Sequence, residues 1–124
     1  MKRVLGAVGA SMLCLALATA ANADEAAEKY VDDALPYMYH SCESVVEESK
    51  GNTEYIDKVI RALLAVSLYN REIDISKYAT TDQDKTALQQ KFAAALGEEC
   101  KKDNDALLAG AIDTAVASTL QLEN

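Results

Sequence analysis

The sequence predicts an all-α fold, a small single-domain bundle of about four helices stapled by one disulfide. Three observations lead to this prediction. Glycine and proline are scarce beyond residue 23, where only Gly51, Gly97, Gly110 and Pro36 remain. Apolar residues recur three and four positions apart, which is typical of amphipathic helices. Two cysteines remain in the same region, and a chain of 124 residues is long enough for one domain only.

Residues 1–23 have the layout of a secretory signal peptide. Two basic residues precede an apolar run from Val4 to Ala18, and Ala21-Asn22-Ala23 forms a small-x-small cleavage site. The run is too short for a typical spanning helix, which argues against the alternative of a retained anchor. Cys14 raises the alternative of lipid attachment, but it does not follow the small residue that such a site normally has. We therefore expect export to the periplasm and no membrane association after cleavage.

The domain is then expected to cover residues 24–124, with the segment 24–38 fraying at its end. The whole chain has 12 basic and 20 acidic residues, a net charge of −8 and an isoelectric point near 4.5. Because the signal peptide contains two basic residues and no acidic ones, residues 24–124 carry a net charge of −10. Nucleic-acid binding needs a basic surface, so no nucleic-acid partner is expected.

This acidity predicts a response to acid. When the carboxylates are protonated, the ten Lys and Arg residues together with His40 leave residues 24–124 at +11. Carboxylates lose their partners and positive charges accumulate, which loosens either a compact fold or a dimer. With a single His in the chain, we expect the midpoint in the carboxylate range, at about pH 3 to 5. Many acidic secreted proteins undergo the same change without using it.

In an exported protein the remaining cysteines, Cys42 and Cys100, predict a disulfide. Only one pairing is available, and it would enclose 57 residues. The chain-entropy description of disulfides assigns a loop of this length about 4 kcal/mol of stabilisation.

The first two predicted helices flank Pro36. Residues 25–34 can form a leading helix, which Pro36 ends because the residue before a proline avoids the α conformation. A second segment from about Tyr39 to Ser49 places Cys42, Val45 and Val46 on one face. Gly51-Asn52-Thr53 then supplies a break and a cap.

The segment from Thr53 to Tyr69 is the clearest helix, with an apolar stripe facing one side. Its stripe consists of Ile56, Val59, Ile60, Leu63, Leu64, Ser67 and Leu68. A polar connection over residues 70–80 follows, in which Ile73, Ile75 and Tyr78 are expected to pack beside the core.

Two more helices complete the prediction. Thr81 and Asp84 resemble a capping box with Asp in place of Glu, and they precede Leu88, Phe92, Leu96 and Cys100 at successive i+4 positions. Asp103 or Asn104 is expected to cap the last helix, whose apolar stripe runs from Leu107 to Leu120. Cys42 and Cys100 would then both point inward.

The sequence contains few groups that could support catalysis. It has no glycine-rich phosphate loop, no His/Glu zinc motif and no Gly-x-Ser-x-Gly elbow. His40-Ser41-Cys42 could supply two metal ligands or a Cys–His nucleophile pair, but we favour a disulfide cysteine beside a surface His. The acidic clusters lack the spacing of a calcium loop and are interpreted as solvated faces and caps. We expect no catalytic residue, no metal and no cofactor, and rank an enzyme last among the alternatives.

The order of these features resembles the HdeA/HdeB family of periplasmic acid-stress chaperones, and more closely its YmgD-like members. The resemblance rests on the signal peptide, on Cys42-Glu43 in an early helix, on the apolar middle helix and on Cys100 closing a later one. The stretch from Cys100 to Asp113 looks like the family's passage into its last helix. The resemblance implies an all-helical domain with Cys42 bonded to Cys100, dimeric at neutral pH. In the chaperone members, acid releases partly unfolded monomers that keep other periplasmic proteins soluble without ATP.

The first hypothesis is therefore an ATP-independent periplasmic holdase that acid switches on. Its partners would be acid-denatured periplasmic proteins and, at neutral pH, a second copy of the chain. The expected client or dimer surface is the middle-helix set of Ile56, Val59, Ile60, Leu63, Leu64 and Leu68, for which plain core is the alternative. A second hypothesis is a periplasmic helical interaction protein of the same fold, without chaperone activity, that binds one specific partner.

Overall fold

A computed structural model describes residues 27–122 of the chain. The predicted signal peptide lies outside the described residues. Within that range the structure is helical and has no strand, in agreement with the predicted all-α class. It contains five α-helices rather than about four, because the leading segment that was expected to fray is helical over residues 27–34. The helices are α1 (27–34), α2 (Cys42–Ser49), α3 (Thr53–Asn70), α4 (Asp82–Lys102) and α5 (Leu108–Leu120), with 3-10 turns at Leu35–Tyr37 and Ile75–Lys77.

The helix boundaries follow from local sequence. Pro36 lies in the 3-10 turn directly after α1, as its position predicts. Asn52 caps α3 by accepting hydrogen bonds from the backbone N–H groups of Glu54 and Tyr55. The predicted capping box of α4 is confirmed, since Thr81 and Asp84 each accept from the other's backbone N–H. These bonds satisfy donors that have no partner within the helix.

Helix α5 is the centre of the bundle and packs against both α3 and α4. Its residues Ile112 and Ala115 have no exposed surface, and Val116 is 2% exposed. The other helices contribute Val45, Val59, Leu63 and Leu96 to the same core, and Ala34 of α1 joins it. Small residues on α5 allow its neighbours to approach closely, so the least polar helix takes the most buried position.

The disulfide between Cys42 and Cys100 is present and joins the start of α2 to the end of α4, with a Cα–Cα distance of 5.6 Å. A backbone bridge beside it pairs Ser41 with Leu107 in antiparallel fashion. The first N–H groups of α2 donate to carbonyls of the α4–α5 loop: Cys42 N to Ala106 O at 3.2 Å and Glu43 N to Asn104 O at 3.1 Å. The start of α2 is thus held both covalently and through hydrogen bonds.

The beginning of the last helix was predicted incorrectly. Helix α5 starts at Leu108, and its N-cap residue Leu107 makes no side-chain cap and is 59% exposed. Asp103 instead ends α4, and its carboxylate accepts from Asp105 N within the following turn. The carbonyls of this turn are needed by α2, which keeps residues 103–107 out of the helix. Val46 is likewise 59% exposed instead of facing the core.

Candidate functional site

The six middle-helix residues expected to form a client or dimer surface lie in or against the core. Val59 has no exposed surface and Leu63 is 2% exposed. Ile56, Ile60, Leu64 and Leu68 are partly buried and pack against the core cluster. In the folded chain this set is therefore mainly core. Val59 and Leu63 can take part in a binding surface only when the helices separate, whereas Leu64 and Leu68 border a groove in the folded chain.

An apolar groove lies where α3, α4 and α5 meet, and it is the first candidate site. Each helix supplies one pair of residues at i and i+4 spacing, which places the two side chains on one face. These pairs are Leu64 and Leu68 of α3, Leu88 and Phe92 of α4, and Val116 and Leu120 of α5, with Ile75 from the connecting turn. The groove has a volume of about 220 Å³ and is open to solvent on one side.

Three polar residues also line this groove. Lys85 and Gln89 of α4 are exposed, and Thr119 of α5 is partly buried. The hydroxyl oxygen of Thr119 is buried and has no hydrogen-bond partner among residues 27–122.

The second candidate site is a polar cluster around His40, which precedes α2. His40 has no exposed surface, so the prediction of a surface His is wrong. Its Nδ1 lies 2.9 Å from Ser44 Oγ, and its Nε2 lies 2.9 Å from Tyr55 Oη and 3.3 Å from Glu48 Oε2. The ring stacks on Tyr39, with 4.3 Å between centroids, and meets the Tyr55 ring edge-on. Every nitrogen of the buried imidazole therefore has a partner.

The bonds of Ser44 decide what this cluster can do. The side chains of Ser44, His40 and Glu48 form a series of hydroxyl, imidazole base and carboxylate. Such a series can activate the hydroxyl as a nucleophile. However, Ser44 Oγ already accepts from Ser41 N as part of the α2 capping box. The neighbouring Tyr39 hydroxyl donates to Glu48, which raises the pKa of Tyr39 to about 12. The geometry supports a role in joining α2 to α3, since the His40 ring is buried and both of its nitrogens are engaged by residues of these helices.

A third feature was not predicted from the sequence and links α3 to α5. Arg71 holds Asp113 with two bonds, Nε to Oδ1 at 2.8 Å and Nη2 to Oδ2 at 2.9 Å. Ser67 Oγ donates to the same carboxylate at 2.7 Å. The hydrogen bonds from Arg71, helped by Ser67 and opposed by partial burial, lower the pKa of Asp113. A signal for this contact exists in the sequence, because Asp113 is the one charged residue of α5.

Acidic residues crowd together near the disulfide, at the start of α2 and in the α4–α5 loop. Repulsion from Glu47 and then from Asp105 raises the pKa of the Glu43 carboxyl above its usual value. This repulsion opposes folding at neutral pH and is relieved when Glu43 binds a proton. Acid therefore acts in opposite directions at Glu43 and at Asp113.

Comparison with known proteins adds no assignment. No family model, curated protein or solved structure matches the chain. Among residues 27–122, no helix combines the length and apolarity needed to cross a membrane. In the same range, no group of three or more His, Cys, Asp and Glu side chains is placed to hold a metal ion.

Proposed function

We propose that the protein is an ATP-independent holdase of the periplasm that acid switches on. The observation that carries this proposal is the Arg71–Asp113 contact between α3 and α5, in a chain whose Cys42–Cys100 disulfide does not titrate. Acid weakens the first link and leaves the second intact. The proposal involves no catalytic step and no cofactor.

The sign of the pH effect follows from the lowered pKa of Asp113. The contact stabilises the fold above the unfolded-state pKa of an Asp, about 4, and this stabilisation is lost as pH falls through the lower folded value. The capping carboxylates Asp74 and Asp84 behave in the same way, since hydrogen bonds from Ser76 and from Thr81 lower their pKa values. Several acid-sensitive contacts are therefore lost together, while positive charge accumulates on the chain.

Separation of α3 from α5 would uncover the middle-helix set. The contact that acid weakens lies at the C-terminal end of α3, close to Leu64 and Leu68 in sequence. The disulfide keeps the loosened chain from expanding fully, so its apolar residues stay close together. Acid-denatured periplasmic proteins are the proposed clients. Pairing of two copies at neutral pH and export through residues 1–23 are further parts of the proposal.

The test is light scattering of an aggregation-prone client at about pH 2 to 3, within the range where Asp and Glu are protonated. We expect the protein to suppress scattering at an equimolar ratio in acid and to have little effect at neutral pH. A variant with Ile60→Ser and Leu64→Ser should suppress less, whereas the exposed α4 substitution Ala93→Ser should not differ from wild type. Absence of suppression at equimolar or higher protein would exclude the holdase.

A second candidate is a helical interaction protein without chaperone activity. The observation that favours it is a set of large apolar side chains exposed in the folded state, Leu35, Met38, Tyr39, Val46 and Leu107. Such residues suit binding to a partner at neutral pH. Pull-down from periplasm at neutral pH separates the candidates. Capture of one stoichiometric partner that is lost on Val46→Ser and Leu107→Ser substitution supports this function. Failure to retain any partner supports the holdase.

A further inference from the structure

The groove between α3, α4 and α5 has the features of a small-ligand site in the folded protein. Seven of its ten lining residues are apolar, and its volume is about 220 Å³. Apolar cavities of about 150 Å³ already bind a molecule as large as benzene. An α-helix with its side chains is about 10 Å across, so the groove is too small to seat one. Its size suits a single alkyl chain.

The polar side of the groove indicates the charge of the ligand. Lys85 is the one charged residue between positions 27 and 122 that lines the groove, in a chain with a large excess of acidic groups. The Lys85 ammonium has no ion pair among residues 27–122. Two acids share this first turn with Lys85: Asp84 is occupied in capping α4 through Thr81 and Thr80, and Asp82, three positions before Lys85, forms no ion pair with it; neither acid lines the groove. Lys85 is therefore available to an anion.

The position of Lys85 in α4 is unfavourable for the helix itself. It is the fourth residue of the helix, close to the N-terminus, where the helix dipole favours negative charge and disfavours a cation. A lysine there does not improve helix stability. Asp82 and Asp84 already offset the positive end of the dipole, so the Lys85 ammonium, which lines the groove, is the group that favours an anion beside the apolar walls.

We propose that this groove binds a free fatty acid, with the alkyl chain against the apolar pairs of the three helices and the carboxylate beside Lys85. This activity belongs to the folded protein at neutral pH and is independent of the holdase proposal. The apolar walls supply most of the affinity by burying methylene groups, and Lys85 selects the charge of the head group.

The test uses decanoate, decanol and decyltrimethylammonium, three ligands with one alkyl chain and different head groups. Each is titrated into the folded protein at neutral pH and low salt, below its micelle concentration, and followed by methyl chemical shifts. We expect decanoate to bind most tightly and the cation most weakly. The shifts should be confined to the lining methyl groups, among them Leu64, Leu88 and Leu120.

Substitution of Lys85 provides the second part of this test. Lys85→Gln should weaken decanoate binding about threefold to fivefold, as expected for an exposed ion pair, and leave decanol binding unchanged. Lys91→Gln removes an equal charge from the same helix but outside the groove, and it should change neither decanoate binding nor decanol binding. Equal affinity for all three ligands, or equal effects of the two substitutions, would overturn the proposal. So would shifts outside the groove, or none at all.

Discussion

His40 illustrates how one buried polar residue can join several parts of a small protein. Its side chain contacts Ser44 of α2 and Tyr55 of α3, and its backbone carbonyl accepts from Leu108 N at the start of α5. A buried polar group is tolerated when its hydrogen bonds are satisfied, and here both ring nitrogens have partners. Three helices thus meet at a single residue.

Replacement of this side chain should be costly. We expect His40→Ala to lower the free energy of unfolding at neutral pH by about 2 to 4 kcal/mol, because it leaves a cavity and removes the partners of Ser44 and Tyr55. Urea denaturation followed by circular dichroism measures the change. Tyr39→Phe removes an exposed hydrogen bond next to His40 and should cost less than about 0.5 kcal/mol. Similar losses for both substitutions would mean that burial of His40 contributes little.

At the scale of helices, α5 depends on its neighbours for both apolar and charged contacts. Its buried face fills the core, while Asp113 turns toward Arg71 and Ser67 at the end of α3. The Asp113 side chain is 45% exposed, so the ion pair is partly screened and its contribution is modest. Its position matters more than its strength, because it ties the central helix to the end of α3.

The pH dependence of this contact can be measured directly. Asp113→Asn should lower the free energy of unfolding by about 1 kcal/mol at neutral pH, and the difference from wild type should shrink in acid, as pH falls below about 4 and through the lowered pKa of the native carboxyl. Denaturant titrations across this range test both parts. Glu98→Gln breaks a more exposed ion pair with Lys101 and should have almost no effect at either pH. A loss that persists unchanged in acid would show that charge is not its cause.

For the whole molecule, charge repulsion and the disulfide have opposite effects on compactness in acid. Protonation removes negative charge from a chain rich in carboxylates and leaves its cations unbalanced. The disulfide bridges 58 positions of sequence and limits how far the helices can separate. The expected acid state is loosened but compact.

Removal of the disulfide should abolish that compactness. We expect the Cys42→Ser, Cys100→Ser variant to lose about 2 to 5 kcal/mol of stability at neutral pH and to expand fully at about pH 2. Small-angle scattering provides the radius of gyration of both forms at each pH. Equal radii for the variant and the wild type in acid would contradict the expected role of the bridge.

Local sequence signals predicted most of the secondary structure correctly. The stops at Pro36 and Gly51 and the capping box at Thr81 depend on neighbouring residues, and all three are confirmed. The burial of His40 and the late start of α5 at Leu108 were missed. Both arise from one long-range contact, in which the chain before α2 pairs with the α4–α5 loop. Helical periodicity carries no information about such a pairing.

The sequence by itself determined the helical class, the cysteine pairing and the excess of carboxylates. Each of these follows from composition or from the spacing of neighbouring residues, which act over a few turns of chain. Only the tertiary structure decided that the middle-helix stripe is core, that Asp113 meets Arg71, and that Lys85 borders an apolar groove. These features depend on how three helices pack together, because a side chain's environment is set by residues that are distant in sequence and close in space.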